Sequence, residues 1–338
     1  MSSSDNAPPA GPEILVAPSA LRFIEPVLGS GITLTQVAGD ASFRRYFRVE
    51  SPRGRFILMD APPDKEDSAP FLDIAQFLRS HGVPTPEVVA QRLDLGYVLL
   101  EDFGDLTYLK ALEQGENPDI LYRAAVETLL TLQATPKDDR CIAHRRPYDR
   151  EMLRRELALF TDWYVEGILR TPITPEDRQA FDVVFHRLID AILEQPWTLV
   201  HRDYHSRNLM WRAAGVGVLD FQDAVMGPIT YDLASLLRDC YVAWDAPFRE
   251  KVMEWWFADP RIQARYPVDG ATFRADLERM GIQRNLKAIG IFGRLSLRDG
   301  KHGYLNDIPR TLGYVRETLP GRPELAALAG LIDRYAPG

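Results

Sequence analysis

HRDYHSRNLMW, residues 201–211, followed by GVLDFQD at 217–223, is the stretch on which the reading of this chain turns. It places Asp203, Asn208 and Asp220 within eighteen residues. The apolar runs Thr198-Leu199-Val200 before it and Gly217-Val218-Leu219 ahead of the last acid predict a loop that leaves one strand and a short strand that returns beside it. Magnesium-dependent phosphoryl transfer needs a carboxylate to orient an attacking hydroxyl and accept its proton. It also needs hard oxygen ligands for the metal that bridges the nucleotide phosphates. Asp203 suits the first role, and Asn208 and Asp220 suit the second. A solvated loop would also be rich in such residues, but the spacing, the apolar flanks and the second aspartate coincide. A zinc reading of His201 and His205 is weaker, because no HExxH is present and the pattern between them is that of a loop.

His201-x-Asp203-x-x-x-x-Asn208, with Leu219-Asp220-Phe221, resembles the catalytic loop and metal-binding segment of the protein-kinase-like superfamily. His205 stands two residues after Asp203, where protein kinases usually carry Lys. This makes the pattern similar to the aminoglycoside phosphotransferase and choline kinase branch, which phosphorylates small-molecule hydroxyls. HRDYHSRNLMW, LDFQDAVMGPITYDLASLLRDCY, GDASFRRYF and MDAPP together resemble the bacterial anomeric kinases of N-acetylmuramate and N-acetylglucosamine in cell-wall recycling, over roughly residues 20–320.

The resemblance implies an α+β, bilobal, protein-kinase-like fold. A small β-rich N-lobe over 20–102 would bind the nucleotide, and a larger, mainly helical C-lobe over 103–338 would carry the catalytic loop, metal site and acceptor site. ATP is then the co-substrate, Mg2+ the cofactor, and the anomeric hydroxyl of an amino sugar the acceptor, in peptidoglycan recycling. His201 would brace the loop, and Asp232 in TYDLASLL would hydrogen-bond its backbone. The roles of His205 and Arg207 stay open, and Asp223 reads as a cap or a water holder. Rival readings are a kinase of another small hydroxyl compound (aminoglycoside, choline or homoserine) and a nucleotide-binding pseudokinase.

With 338 residues, 46% of them hydrophobic, the chain is long enough for two lobes with buried cores. The 40 basic and 48 acidic residues give a net charge of −8, which argues against a nucleic-acid binder that relies on bulk electrostatics. Cys141 and Cys240 are too few for a disulfide framework and read as reduced thiols, so the cytoplasm is the expected compartment. Residues 1–19 have neither the charge nor the apolar run of a signal peptide and read as a disordered lead. Nowhere do eighteen apolar residues run uninterrupted, so no membrane span is expected. No obligate protein partner is evident.

In chain order, ITLTQVA predicts a strand ending at Gly39, and Gly39-Asp40-Ala41-Ser42 a tight turn. From Phe43 to Val49 the residues alternate, putting Arg45, Phe47 and Val49 on one face and Arg44, Tyr46 and Arg48 on the other. In the family this turn covers the triphosphate, which makes Gly39, Asp40 and Ser42 candidate nucleotide contacts; by itself it reads as an ordinary hairpin. A third strand, Arg55–Met59, departs from the superfamily: its usual terminal Lys is absent, Met59-Asp60 stand there, and Lys65 comes late. Arg44 or Arg45 is the proposed substitute, with a solvated strand face as the other reading. A helix over Ser68–His81 and strands over Glu87–Leu93 and Tyr97–Leu100 lead to a hinge in which Glu101 and Phe103 would meet the adenine through their backbone.

Beyond the hinge the periodicity is helical, at Leu121–Leu132, Arg150–Leu169 and Phe181–Ile192. Gly227-Pro228 breaks the chain, and Ile229–Tyr241 begins a helix. The basic run Arg284, Lys287, Arg294 and Arg298 reads either as a solvated helix face or as a contact for an acidic substrate group such as a lactyl carboxylate.

Overall fold

The computed structural model describes residues 18–37 and 43–337. It divides into two compact units, one holding the chain up to Leu72 together with Pro86–Asp102, the other holding Asp73–Thr85 and the chain from Phe103 onward. Residues 1–17, and with them most of the expected lead, lie outside the described residues, as do Gly39, Asp40 and Ser42.

The first unit runs α1 (Pro18–Leu28), β1 (Thr33–Gln36), β2 (Arg45–Ser51), β3 (Gly54–Asp60), the start of α2 (Ala69–Ser80), β4 (Val88–Arg92) and β5 (Tyr97–Glu101). Its strands form one antiparallel sheet in the order β1-β2-β3-β5-β4. The alternation in β2 buries Phe47 and Val49 and turns Glu50 to the exposed face, while Arg45, on the buried face, is exposed at the strand's end. Register then stacks Phe47 opposite Leu58, and Leu58 opposite Leu99. Ala20, Ile24 and Leu28, spaced four apart on α1, cover this apolar face. Pro18 and Ser19, read from the sequence as part of the lead, belong to α1: Ser19 Oγ lies 2.8 Å from the Tyr97 hydroxyl, and Ala20 beside it is fully buried.

The second unit is mainly helical. It contains α3 (Tyr108–Glu113), α4 (Pro118–Gln133), α5 (Arg150–Leu159), α6 (Pro175–Leu193), β6 (Trp197–Val200), β7 (Leu209–Arg212), β8 (Gly215–Val218) and β9 (Val225–Pro228). There follow α7 (Tyr231–Leu237), α8 (Ala246–Phe257), α9 (Pro260–Arg265), α10 (Gly270–Asp299), α11 (Ile308–Thr318) and α12 (Ala326–Tyr335). The strand that returns toward Asp220, β8, pairs with β7 as a hairpin, while β6 pairs with β9. Gly227-Pro228 therefore ends a strand, and the helix after it stops at Leu237 rather than Tyr241. Asp239 caps the departing chain instead, accepting the Tyr241 amide at 2.8 Å. No described helix is long and apolar enough to cross a membrane.

The segment Arg150–Leu169 is not one α-helix. After α5 it widens into a π-helical stretch, Phe160–Ile168, where α10 passes against it. A Cβ at Gly290 would lie 2.3 Å from the Leu159 carbonyl carbon, and one at Gly293 would lie 2.8 Å from the Trp163 oxygen. Only a backbone without side chains at these two places lets α10 come so close. Gly290→Val should lower stability by at least the ~1–3 kcal/mol usual for overpacking. Gly313→Ala on α11, where nothing lies within 4 Å, should raise it by ~0.5–1 kcal/mol. Chemical denaturation of both variants checks the pair of signs.

Candidate active site

The loop between β6 and β7 carries His201 to Asn208, and its shape is fixed by hydrogen bonds to buried side chains. Asp232, at the start of α7 and fully buried, accepts the His201 amide at 2.7 Å and the Arg202 amide at 3.0 Å. His201 donates Nε2–H to the Leu219 carbonyl at 2.8 Å and accepts the Asp203 amide on Nδ1 at 3.3 Å, so a single neutral tautomer satisfies both. Asp239 accepts the Ser206 amide at 2.8 Å. Arg202 and Asp220 both sit in the left-handed region, with φ of 78° and 60°. Non-glycine residues hold that conformation only where their surroundings impose it.

These contacts bring Asp203, Asn208 and Asp220 together. Asn208 Nδ2 donates to the Asp203 carbonyl at 3.0 Å and lies 3.3 Å from Asp220 Oδ2. The Leu219 amide donates to the Asn208 carbonyl at 2.9 Å, and Gln222 Nε2 donates to Asp220 Oδ1 at 2.5 Å. With its amide nitrogen committed, Asn208 keeps Oδ1 for a cation beside the Asp220 carboxylate. The described residues contain no group of three or more His, Cys, Asp or Glu able to hold a metal. One amide oxygen and one carboxylate fit a small hard cation whose remaining ligands are phosphate oxygens and water, the habit of magnesium in nucleotide sites.

Beside the loop runs α10, and here the solvated-face reading of its basic run is overturned for Arg284 and Lys287 and holds for Arg298. Arg284 and Lys287 are 4% and 5% exposed, whereas Arg298 is exposed and pairs with Asp299. Lys287 Nζ lies 3.0 Å from the Tyr231 hydroxyl and 3.4 Å from Glu156 Oε1, which also takes Arg202 Nη2 at 2.6 Å. Tyr148 and Gln283 donate to the other Glu156 oxygen. One carboxylate thus counters two cations. Arg284 Nη1 lies 3.8 Å from Cys240 Sγ, next to the loop-bracing Asp239.

Burial would raise the Asp203 carboxyl, but Lys287, with His205, Arg202 and Arg284, holds it well below the usual carboxylate range. Burial pushes Asp232 up to about 6 against the pull of His201 and the two amides. It pushes the His205 ring down to about 4, leaving it uncharged near neutrality. Tyr241 meets that ring edge-on at 5.3 Å, and the exposed Arg207 lays its guanidinium carbon 3.7 Å above the Tyr241 ring.

The remaining candidates lie elsewhere. Arg44 is 7% exposed and pairs with Glu66 at 3.0 Å, so it does not lie on a solvated strand face. Arg45, half exposed, pairs with Asp60 directly across the β2–β3 ladder. Glu101 ends β5 and accepts the Glu87 amide at 3.2 Å. Phe103 belongs to the second unit, packed between Gly217 and the Arg212 guanidinium, which lies 3.8 Å from its ring.

A family model described as "Phosphotransferase enzyme family" matches residues 33–266. An N-acetylmuramate/N-acetylglucosamine kinase from Pseudomonas putida is 43% identical over 311 residues, covering 90% of this chain and 89% of that protein. Among solved structures, an ethanolamine kinase from Plasmodium vivax superposes with a TM-score of 0.64 at 10% identity, covering 88% of this chain and 85% of its own. An amicoumacin kinase in complex with AMP-PNP and Ca2+ gives 0.55 at 17% identity, covering 86% and 89%. The likeness to these two structures, at such low identity, concerns the fold: a protein-kinase-like α+β architecture.

Glu156→Gln keeps the shape of the side chain but leaves Arg202 and Lys287 buried without their shared counter-charge. It should cost ~3–5 kcal/mol, the range for breaking a buried ion pair from one side. A urea midpoint within error of the wild type would refute that account of the triad.

Proposed function

The chain belongs to the phosphotransferase enzyme family, and from that premise we propose that it is an ATP-dependent sugar kinase acting on N-acetylmuramate and N-acetylglucosamine. The observation that carries the substrate is the 43% identity, over nine-tenths of the chain, to a kinase bearing that name. The site supplies the chemistry. Asp203 orients the anomeric hydroxyl and accepts its proton as the sugar oxygen bonds to the γ-phosphorus. The bond to the β–γ bridging oxygen breaks, and ADP leaves with that electron pair. An anomeric hydroxyl is more acidic than an ordinary sugar alcohol because the ring oxygen withdraws charge. It therefore suits an aspartate that the surrounding cations keep ionised and only weakly basic.

Asn208 and Asp220 would hold Mg2+, which when bound neutralises and aligns the phosphate oxygens. Asp232 and His201 hold the loop so that Asp203 meets the acceptor in one orientation. Arg45 is the cation we assign to the phosphates, since Arg44 is buried against Glu66. Lys287, Arg284 and Arg202 around Asp203 favour a neutral or acidic acceptor over a cationic one such as choline or an aminoglycoside. The intact Asp203, Asn208 and Asp220 argue for turnover rather than nucleotide binding alone. Peptidoglycan recycling in the cytoplasm is the setting this substrate pair suggests.

Two experiments test the reading. Offered with MgATP, the free sugars should be phosphorylated and their methyl glycosides should not; the phosphorus should couple to the anomeric proton. Phosphorylated glycosides would refute the anomeric assignment. Kinetics should separate the roles: Asp203→Asn lowers turnover by roughly 10²–10⁴-fold with ATP binding kept, whereas Arg45→Ala raises the KM for ATP more than it lowers kcat. A matching loss of nucleotide affinity in the Asp203 variant would assign that residue to the metal instead.

A further inference from the structure

A cavity of about 230 Å3 lies among α7, α8, α10 and the end of α11, within the second unit. Four arginines line it, and three are neutralised by carboxylates on the same walls: Arg249 by Glu317, Arg274 by Glu250 at 2.5 Å, and Arg322 by Glu278 at 2.6 Å. Arg238 is the exception. Among the described residues its guanidinium makes one hydrogen bond, from Nη1 to Thr318 Oγ1 at 2.7 Å, and has no carboxylate within ion-pair distance. Its place looks built. In mid-α10 a Cβ at Gly281 would come 2.6 Å from Arg238 Cδ and 2.9 Å from Nη1, so a glycine, a residue that weakens a helix interior, makes room for this side chain. Asn285 on the same helix donates to the Arg238 carbonyl at 3.2 Å and fixes the backbone.

A guanidinium cannot shed its proton, and Arg238, half-buried on the cavity wall, carries that charge with the Thr318 hydroxyl as its hydrogen-bond partner among the described residues. The three carboxylates of the cavity are already engaged. We propose that this cavity is a binding site for a small oxyanion, a phosphate or carboxylate, held by the Arg238 fork and the Thr318 hydroxyl. Planar bidentate donation from arginine suits either anion. Burial pushes the Arg238 guanidinium down to about 10 although Glu278 pulls the other way, which agrees with a cation short of a partner. The site would also communicate with catalysis. The next residue, Asp239, accepts the Ser206 amide of the catalytic loop, so an anion that steadies Arg238 steadies that brace.

The test is isothermal titration of the full-length chain, saturated with MgADP to fill the nucleotide site, with inorganic phosphate and separately with acetate, at ionic strength fixed by chloride. At least one anion should bind saturably at one site, and the preferred anion names the source. Arg238→Met should weaken binding by roughly ten-fold or more, as expected on removing a hydrogen bond to a charged group. The control Arg298→Gln, on the exposed end of α10, should leave it unchanged. If Arg238→Met does not fold, Thr318→Val and Gly281→Ala decide, and both should weaken binding. The proposal is overturned if neither anion saturates the wild type, or if the Arg238 variant binds as well as the wild type. Where that variant is unfolded, unchanged affinity in the other two overturns it. None of these outcomes depends on which acceptor the active site uses.

Discussion

Two amides and one carboxylate set the geometry on which the site depends. Asp232 takes the amide hydrogens of His201 and Arg202 together, and to do so the chain passes through a left-handed conformation at Arg202. Asp203 follows immediately, so its direction is decided by a residue twenty-nine positions later on α7. Because Asp232 is buried, it cannot exchange these amides for water, and the turn has no cheap alternative. The second left-handed residue, Asp220, is fastened in the same manner, by Gln222 on one oxygen and by Asn208 near the other.

Buried charge is the other organising element. The buried cations of α10 are answered from several elements: Lys287 by Glu156 on α5 and the Tyr231 hydroxyl on α7, Arg284 by the electrostatic pull of Cys240 and Tyr231 and of Asp203 and Asp239. Their field works on the base, holding the Asp203 carboxyl below the usual carboxylate range against the upward push of burial. Glu156 pays for none of this through contact with the acceptor; it lets two like charges coexist beside the loop. The close passage of α10 along the π-helical stretch, allowed by Gly290 and Gly293, is what holds that helix near enough for the field to matter.

The sequence made the strands and the loop legible for a physical reason. The β2 alternation, the four-residue spacing of α1 and the HxDxxxxN pattern are local signals, and local signals survive without knowledge of tertiary contacts. Glu156, Gln222 and Asp239 are not singled out by the sequence, and Arg284 and Lys287 read there as a solvated face or a substrate contact, because each matters through a partner distant in sequence or through burial that composition does not reveal. A signal was present for two of them. Glu156 lies on the same helical stripe as Leu153 and Leu157, and Lys287 on the one marked by Met280 and Gly290; a charged residue on an apolar stripe asks for a partner. The π-helical widening after Leu159 had no such trace, since it follows from how closely another helix approaches. At the N-terminal edge of α1, Pro18 and Ser19 resemble the polar lead in sequence, and the contact of Ser19 with Tyr97 comes from a strand distant in the chain.

The pairing of Arg45 with Asp60 across β2 and β3 changes what a reactive small molecule would meet. The third strand, GRFILMD, contains no amine: Met59 is fully buried and Asp60 is an anion already held by its cross-strand neighbour. Electrophiles built to acylate or sulfonylate a lysine at the end of that strand have nothing there to modify. A covalent probe selective against kinases that carry such a lysine would therefore pass this chain over, and labelling mixtures of the two classes would sort them by the chemistry of one strand end.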